Sequence, residues 1–204
     1  MFSHYLAFKQ RYTTPAAQAG FGLIELMVSI TIMAIVAAVI LARQSSFNGA
    51  VLLRSQAYEI ALTMREVQLN AISAVSDGSG DFRKIHGVYF DTSENGNRSY
   101  RIFRDADGDG FYDAGEEFGV QGFLDNRFEI DDIIVTGGSF TDDGSDITIV
   151  FERPNFDARF FQGSNRELDV TMVEIVLRRS GTTGTDVGDI KTIAVTPAGQ
   201  IAVQ

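Results

Sequence analysis

Five acidic side chains lie within the twelve residues from Asp105 to Glu116. The segment reads DADGDGFYDAGE, which fits the pattern D-x-D-x-D-G followed by a glutamate six residues after that glycine. In this pattern, carboxylates and one backbone carbonyl give a calcium ion the hard oxygen ligands that it prefers. Five carboxylates held this close together repel one another unless a cation neutralises them. The spacing therefore predicts a calcium-binding loop over residues 105–116.

The predicted calcium ligands occupy every position that the pattern requires. Gly110 permits the sharp turn after the third aspartate. The ligands are the carboxylates of Asp105, Asp107 and Asp109, the backbone carbonyl of Phe111, Asp113 directly or through a water, and the bidentate carboxylate of Glu116. An acidic turn that holds no metal is the alternative interpretation.

The element before the loop indicates what kind of calcium site this is. Alternation of period two predicts a strand over residues 100–104, whereas an EF-hand loop has a helix on both sides. A single loop without a partner loop disfavours a calcium sensor. The chain contains no cysteine, so no disulfide can hold its loops. We therefore expect calcium to act as a structural staple.

An uninterrupted apolar segment lies near the start of the chain. Residues 21–42 read FGLIELMVSITIMAIVAAVILA, a run of 22 residues with one charge, Glu25. As a helix they would span about 33 Å, roughly the thickness of a bilayer's hydrocarbon core. Lys9 and Arg11 precede the run, so the positive-inside tendency places the N-terminus in the cytoplasm. We expect residues 21–42 to form a single membrane-spanning helix.

The residues around Gly20 resemble the class III signal of type IV pilins and type II secretion pseudopilins. They read GFGLIELMV from Gly20 onwards, with Gly, Phe and Glu at the spacing of that signal. The resemblance implies that residues 1–20 are a leader peptide, that prepilin peptidase cleaves between Gly20 and Phe21, and that Phe21 is then N-methylated. It also implies that Glu25 pairs with the terminal amine of a neighbouring subunit. Gly22 departs from the family, in which Thr or Ser is commoner.

Residues 43–76 continue the helical pattern beyond the membrane segment. They are rich in Ala, Leu, Gln, Glu and Arg and contain no proline. Two adjacent apolar stripes predict an amphipathic helix with one face on its own domain and the other towards neighbouring subunits. A helix buried within a larger monomeric fold is the alternative interpretation. The first stripe is Leu53, Ala57, Ile60, Met64, Val67, Ala71 and Val75, and the second is Tyr58, Leu62, Leu69 and Ile72. We expect the helix to end at residues 77–80, which read DGSG.

Past residue 80 the apolar period changes to two, which predicts strands. Two of them, over residues 85–90 and 99–104, flank an Asn95-Gly96 hairpin signal. A change of phase near residue 172 suggests a bulge, or a strand bent between sheets. Further strands are expected over residues 147–151, 168–177, 190–195 and 200–203. The predicted fold is α+β, with a long N-terminal helix packed on an antiparallel sheet or small sandwich formed by residues 77–204.

A second resemblance narrows the family. Residues 101–116, a strand that ends in an acidic loop followed by Asp-x-Gly-Glu, resemble the middle region of the GspH/FimT branch of pseudopilins and minor pilins. Residues 54–74 resemble the helix of that branch. The resemblance implies a structural subunit of a type IV pilus-like or type II secretion filament. The alternatives are a major type IV pilin and a membrane-tethered, calcium-dependent binding module that forms no filament.

The resemblance also implies partners and a location. The partners are other pilin or pseudopilin subunits, prepilin peptidase, the inner-membrane assembly platform and, before assembly, the membrane itself. The location is the bacterial inner membrane, crossed once with the N-terminus in the cytoplasm. The subunit then moves into a periplasmic or cell-surface filament.

Charge and composition argue against two other classes of function. The net charge is −10, and it becomes −12 for residues 21–204 once Lys9 and Arg11 are set aside. Such a surface repels phosphate backbones, and no basic residue follows Gly199, where FimT proteins of DNA uptake carry a basic motif. Catalysis is disfavoured because residues 21–204 contain one histidine, His86, and no recognised nucleophile or phosphate-binding motif. We expect neither nucleic-acid binding nor enzyme activity.

Two weaker patterns leave alternatives open. Arg178, Arg179 and Lys191 form either a small basic patch or the solvated end of a strand. The Phe and Arg residues of segment 151–166 indicate either an interaction loop or, as the simpler interpretation, core packing.

Overall fold

The structure is a computed structural model, and it describes residues 20–73, 85–93, 95–137, 145–151, 154–163, 166–167, 169–185 and 188–204. The chain divides into two compact units, Met1–Arg43 and Gln44–Gln204. Apart from Gly20, the predicted leader peptide lies outside the described residues.

One α-helix, α1 (Leu23–Ile72), begins in the first unit and ends in the second. In the first unit, every described side chain from Gly20 to Ala42 is exposed, although nearly all of them are apolar. The helix contains a stretch that is long and apolar enough to cross a membrane, as judged by length and composition. This part of the chain is therefore consistent with a membrane anchor.

In the second unit, α1 buries one apolar stripe and exposes the other. Leu62 and Leu69 of the second stripe are each more than half exposed. Six side chains of the first stripe are buried: Leu53, Ala57, Ile60, Met64, Val67 and Ala71. Ala61 and Gln68, which belong to neither predicted stripe, are buried as well. Val75 and the predicted helix end at residues 77–80 lie outside the described residues. Along this part of α1, the first stripe is thus the face that packs on the domain.

Ten strands follow within the described residues, and all their pairings are antiparallel. Six form one sheet in the order β3-β2-β1-β5-β6-β7, and four form a second sheet in the order β10-β9-β8-β4. The strands are β1 (His86–Asp91), β2 (Ser99–Arg104), β3 (Gly122–Phe123), β4 (Phe128–Thr136), β5 (Asp146–Phe151), β6 (Ala158–Gln162), β7 (Arg166–Glu167), β8 (Met172–Arg179), β9 (Ile190–Val195) and β10 (Ile201–Val203).

Helix α1 and both sheets share one apolar core. Ile60 of α1, Phe90 of β1 and Ile175 of β8 are fully buried members of it. Each methylene group that the core removes from water contributes about 0.8 kcal/mol, so this cluster holds the helix against the sheets. The predicted α+β fold, a long N-terminal helix followed by antiparallel sheets, is confirmed.

The predicted hairpin is present, because β1 pairs with β2 across the turn that contains Asn95 and Gly96. The bulge suggested near residue 172 is not found there. Strand β8 begins at Met172, so Val170 precedes it, and this accounts for the change of phase. A bulge lies instead in the partner strand β4, where Asp131 is the extra residue.

Segment 151–166 belongs largely to the protein interior. Strand β6 runs through it, and Phe151, Phe160 and Phe161 are buried, as the simpler interpretation expected. Phe156 is an exception, with 52% of its surface exposed. Arg153 lies outside the described residues.

Replacing Ile60 by alanine should lower the free energy of unfolding of residues 44–204 by about 2–5 kcal/mol, because a cavity replaces a buried side chain. Leu62 is the matched control on the same helix, since it is 64% exposed whereas Ile60 is 0% exposed. Leu62→Ala should change the free energy by less than about 0.5 kcal/mol. Urea denaturation measures both. Equal losses for the two variants would contradict the packing described for α1.

Candidate functional site

Strand β2 leads into the acidic loop, as the sequence predicts, and the chain returns alongside it. Phe103 forms a β-bridge with Glu117. The backbone N–H of Arg104 donates to the carbonyl of Glu116, at 3.0 Å, and that of Phe118 donates to the carbonyl of Ile102, at 2.8 Å. The loop over residues 105–116 is therefore closed at its base by a backbone ladder that continues β2.

Asp105 organises the first half of the loop. Its side chain is only 2% exposed. One carboxylate oxygen, Oδ1, accepts the N–H of Gly108 at 2.6 Å, and Oδ2 accepts the N–H of Gly110 at 2.8 Å. Both glycines have φ near +86°, a backbone conformation that residues with a Cβ rarely adopt. The buried carboxylate and the two glycines together produce the sharp turn.

Three carboxylates converge inside the loop. One oxygen from each of Asp105, Asp107 and Asp109 lies within 4.8 Å of the other two. The Oδ1 atom of Asp107 accepts the N–H of Asp109, at 3.3 Å, and the Oδ1 atom of Asp109 accepts the N–H of Phe111, at 2.8 Å. The structure thus brings together the first three predicted ligands.

The last two predicted side-chain ligands are placed differently. Glu116 reaches across the loop, where its Oε1 accepts the N–H of Ala106 at 2.7 Å and its Oε2 accepts the N–H of Asp113 at 3.2 Å. Neither Glu116 nor Asp113 belongs to the group of three converging carboxylates. Glu116 therefore ties the two ends of the loop together through its backbone hydrogen bonds.

Two aromatic side chains attach the loop to the six-stranded sheet. Phe111 packs edge-on against Phe161, with ring centroids 5.2 Å apart, and Tyr112 stacks on Tyr89 at the same distance. Both side chains pack on a second apolar cluster, which consists of Phe103, Val150 and Phe161. The calcium-loop pattern gives a role only to the backbone carbonyl of Phe111 and does not predict this contact. An aromatic pair inside an acidic loop is the sequence signal that could indicate it.

A further acidic residue takes part in the loop without having been predicted. The hydroxyl of Tyr112 donates to Glu117, whose other oxygen accepts the N–H of Gly115 at 2.9 Å. Burial raises the pKa of Tyr112 to about 12, and the hydrogen bond to Glu117 adds to the rise. The same hydrogen bond lowers the pKa of the Glu117 carboxyl. At neutral pH the pair is therefore a protonated donor and an ionised acceptor.

The second candidate site is the start of α1. Gly20 and Phe21 precede the helix, and the Phe21 side chain is 80% exposed. Glu25 lies in the first turn, where a carboxylate interacts favourably with the N-terminal end of the helix dipole. Its carboxylate forms no hydrogen bond or ion pair with the described residues. The side chains predicted for processing and assembly are thus accessible in this chain.

The remaining polar candidates have structural partners. His86 is buried and packs edge-on against Phe118, with ring centroids 5.4 Å apart. Arg178 forms ion pairs with Glu129, at 2.9 Å, and with Asp131, at 2.8 Å. Arg179 pairs with Asp189 at 4.0 Å, so both arginines of the small basic patch considered from the sequence have acidic partners. Asp131 is the extra residue of the bulge in β4, and there it lies close enough to Arg178 of β8 to form the second ion pair.

One comparison with known proteins bears on the start of the chain. Residues 15–41 match the family described as the prokaryotic N-terminal methylation motif. The matched segment contains Gly20, Phe21 and Glu25. No curated protein and no solved structure shows a significant match to this chain. The motif indicates a substrate of prepilin peptidase and supports a type IV pilin-like protein.

Replacing Gly110 by alanine should destabilise the domain more than replacing Gly108. Both positions have φ near +86°, so each alanine costs about 1–2 kcal/mol of backbone strain. A Cβ at Gly110 would lie 2.6 Å from Cζ of Phe161, whereas a Cβ at Gly108 would meet nothing within 4 Å. The overlap should add about 1–3 kcal/mol for Gly110→Ala alone. Denaturation of both variants in the presence of chelator measures their free energies of unfolding. Equal losses of free energy would contradict the packing of the loop on Phe161.

Proposed function

We propose that this chain is a structural subunit, a pseudopilin or minor pilin, of a type IV pilus-like or type II secretion filament. Prepilin peptidase cleaves it between Gly20 and Phe21, and Phe21 becomes N-methylated. The subunit then assembles through its N-terminal helix, with calcium stabilising its globular domain. Its partners are other pilin or pseudopilin subunits, the peptidase and the inner-membrane assembly platform.

The observation that carries the proposal is the exposed apolar start of α1 directly after a methylation motif. From Phe21 to Leu41 the large apolar side chains are 50% exposed or more. Leaving such a surface in water costs about 25 cal/mol for each Å². A bilayer covers it before assembly, and neighbouring helices cover it afterwards. A permanent membrane anchor would need only the bilayer to cover this surface. The methylation motif indicates assembly with other subunits, which is why we expect neighbouring helices to cover it later.

Glu25 is the polar exception within this apolar surface. A carboxylate inside a membrane helix costs a few kcal/mol unless it finds a partner. Its side chain has no partner among the described residues. Cleavage after Gly20 would create a terminal amine on Phe21, and the amine of a neighbouring subunit would neutralise Glu25. This pairing favours assembly over isolated subunits.

The exposed stripe of α1 in the second unit supports the same conclusion. Phe47, Tyr58 and Leu69 follow one another at intervals of eleven residues, and so do Val51 and Leu62. At 100° for each residue, an interval of eleven returns to within about 20° of the same direction. These five side chains form one line along the helix, and each is at least 44% exposed. A continuous apolar line of this kind suits packing against further helices.

The branch of the family rests on the sequence resemblance of residues 54–74 and 101–116 to GspH/FimT proteins. In the structure residues 54–72 belong to α1, and residues 101–116 form most of strand β2 and the acidic loop; all of them lie in the second unit. This arrangement is compatible with a minor pilin or pseudopilin. A major pilin is the second candidate, and filaments built from this subunit alone would favour it.

Calcium is proposed as the ligand of the acidic loop because the donor set fits it. Two unit charges 4.8 Å apart repel by about 0.9 kcal/mol in water, and by about four times as much at an effective dielectric constant near 20. A divalent cation would relieve this repulsion for the three converging aspartates. The Oδ2 atoms of Asp107 and Asp109 accept no hydrogen bond from the described residues, so they are available as ligands. Hard oxygens of this kind are the ligands that calcium prefers.

The predicted ligand Glu116 would join the site by a small change. Its carboxylate already spans the loop between Ala106 and Asp113. The carbonyl of Phe111 and either Asp113 or a water would complete the six to eight oxygens of a calcium site. Bound calcium would attract the carboxylates that otherwise repel one another. It would therefore stabilise a loop that has no disulfide.

Processing gives the direct test of the proposed function. The full chain, expressed in membranes with and without prepilin peptidase, should become shorter by about twenty residues when the peptidase is present. Gly20→Asp should abolish the shortening, because the peptidase recognises the glycine before the cleaved bond. Gly22→Ala is the matched control and should be processed like the unaltered chain. An unaltered chain that keeps its full length would contradict the filament proposal and favour a membrane-tethered binding module.

Chelation tests the calcium proposal independently. With calcium at about 100 times its dissociation constant, the stabilisation is about 2.7 kcal/mol, and chelator should lower the melting temperature of residues 44–204 by about 5–10 °C. Asp107→Ala should remove this difference. Asp169→Ala, at an exposed aspartate outside the loop, should preserve it. An unaltered domain whose melting temperature is the same in calcium and in chelator would refute the proposal.

A further inference from the structure

A groove runs along one flank of α1 in the second unit. It has a volume of about 470 Å³ and lies between the helix and the chain segment that returns along β2. Glu59, Thr63, Glu66 and Val67 line it on the helix side, and Phe118 and Phe123 line the opposite wall. Phe123 is 69% exposed. The groove therefore combines an apolar wall with an acidic border.

The other flank of α1 carries the opposite charge. Arg54 and Arg65 are both exposed, and the guanidinium of Arg54 lies over the ring of Tyr58, 5.5 Å from its centre. Arg65 donates to the backbone carbonyl of Ile201 at 2.9 Å, which places this flank beside β10. A basic and aromatic ridge thus lies on the side of the helix away from the groove.

Four charges on the two flanks lack an oppositely charged partner in the part of the chain that the structure describes. Arg54, Arg65, Glu59 and Glu66 form no ion pair with the described residues. The arginines lie about 100–140° around the helix axis from the glutamates. Leu62 and Leu69, two members of the exposed apolar line, lie between the two flanks. The exposed face of α1 is therefore polarised, with a basic border, an apolar centre and an acidic border.

We propose that a second copy of this chain docks its Arg54–Tyr58–Arg65 ridge into the groove bordered by Glu59 and Glu66. The inference rests on the proposed filament function and names the partner of the exposed helix face. Charge complementarity selects this occupant, because the ridge is basic, the groove is bordered by acids, and both carry apolar side chains.

The contact uses two different patches, so each copy offers a free ridge and a free groove after docking. Such a heterologous contact repeats from copy to copy, and it forms a helical array where the rotation does not close a ring. Two parallel helices offset by about three residues, or about 4.5 Å, bring each arginine to within about 3 Å of the level of one glutamate. Arginine and glutamate side chains are long enough to span that difference. Leu62 and Leu69 then lie in the seam between the helices.

Charge reversal tests the contact on the full chain in membranes that contain prepilin peptidase. Two differently tagged copies are co-expressed, and the fraction that co-purifies is measured. Glu59→Arg with Glu66→Arg gives a chain with two basic flanks, and Arg54→Glu with Arg65→Glu gives a chain with two acidic flanks. Each should lower self-association at least about fivefold, because like charges then face each other across the contact. Co-expression of the two opposite variants should restore association between the tags.

The chain that combines all four substitutions is the matched control. It has the net charge of the unaltered chain with the two flanks exchanged, so it should again associate with itself. It should not associate with the unaltered chain. Loss of association in the fourfold chain, or unchanged association in either double variant, would overturn the proposal. Unaltered copies that co-purify only with another pilin-like subunit would also overturn it.

Leader removal, read from the size of the chain in the same samples, separates this proposal from the proposed function. If the chains are shortened but the charge reversals leave their association unchanged, only the ridge-and-groove contact is refuted. Chains that keep their full length would refute the filament function, on which the contact rests. Melting temperatures of the variants within about 3 °C of the unaltered chain confirm that exposed charge changes leave the fold intact.

Discussion

The organisation of this chain depends on one constraint, which is that α1 carries more apolar surface than its own domain covers. In the second unit, Ile60, Met64 and their neighbours in the buried stripe join both sheets in a single core. The adjacent line from Phe47 to Leu69 has no such cover. In the first unit the apolar side chains have no cover from the described residues at all. A helix with this much uncovered apolar surface is unfavourable in water. In the proposed function a bilayer, and after assembly other helices, would cover it.

A second and smaller constraint acts on the outer face of the six-stranded sheet. Gly87 leaves room for the ring of Phe103, since a Cβ there would lie 2.5 Å from that ring. Phe103, Val150 and Phe161 form a cluster on this face, and the acidic loop covers it with Phe111 and Tyr112. The loop is therefore a lid with an apolar underside and an acidic interior. Its position follows from burial, and the cation binding proposed for it would follow from the carboxylates that the turn brings together.

Elements that depend on a local sequence pattern could be predicted from the sequence. Elements and contacts that depend on partners distant in the chain could not. The buried stripe of α1, the hairpin from β1 to β2 and the strand before the acidic loop all follow from periodicity and turn residues, and the structure has them. Strand β4 was missed because its bulge at Asp131 breaks the alternation of apolar residues. Strand β6 was missed because Phe160 and Phe161 are consecutive and both buried, in two different clusters, so apolar and polar residues do not alternate along it. The convergence of the three aspartates was readable from their spacing, whereas the roles of Glu117 and Tyr112 depend on the sheet beneath them.

The acidic loop and the groove are consecutive in the chain, and this connects the two proposals that concern them. The loop ends at Glu116, and the next residues, from Glu117 to Phe123, return along β2 and form the groove's outer wall. That wall is held by side chains, since Gln121 exchanges two hydrogen bonds with the backbone of Ile102, at 2.9 and 3.0 Å. It has only the two residues of β3 as regular structure. Besides these hydrogen bonds, the wall is held at β3 and where it joins the base of the loop. A cation bound in the loop, as proposed, would therefore steady one end of the wall against which a neighbouring copy would dock.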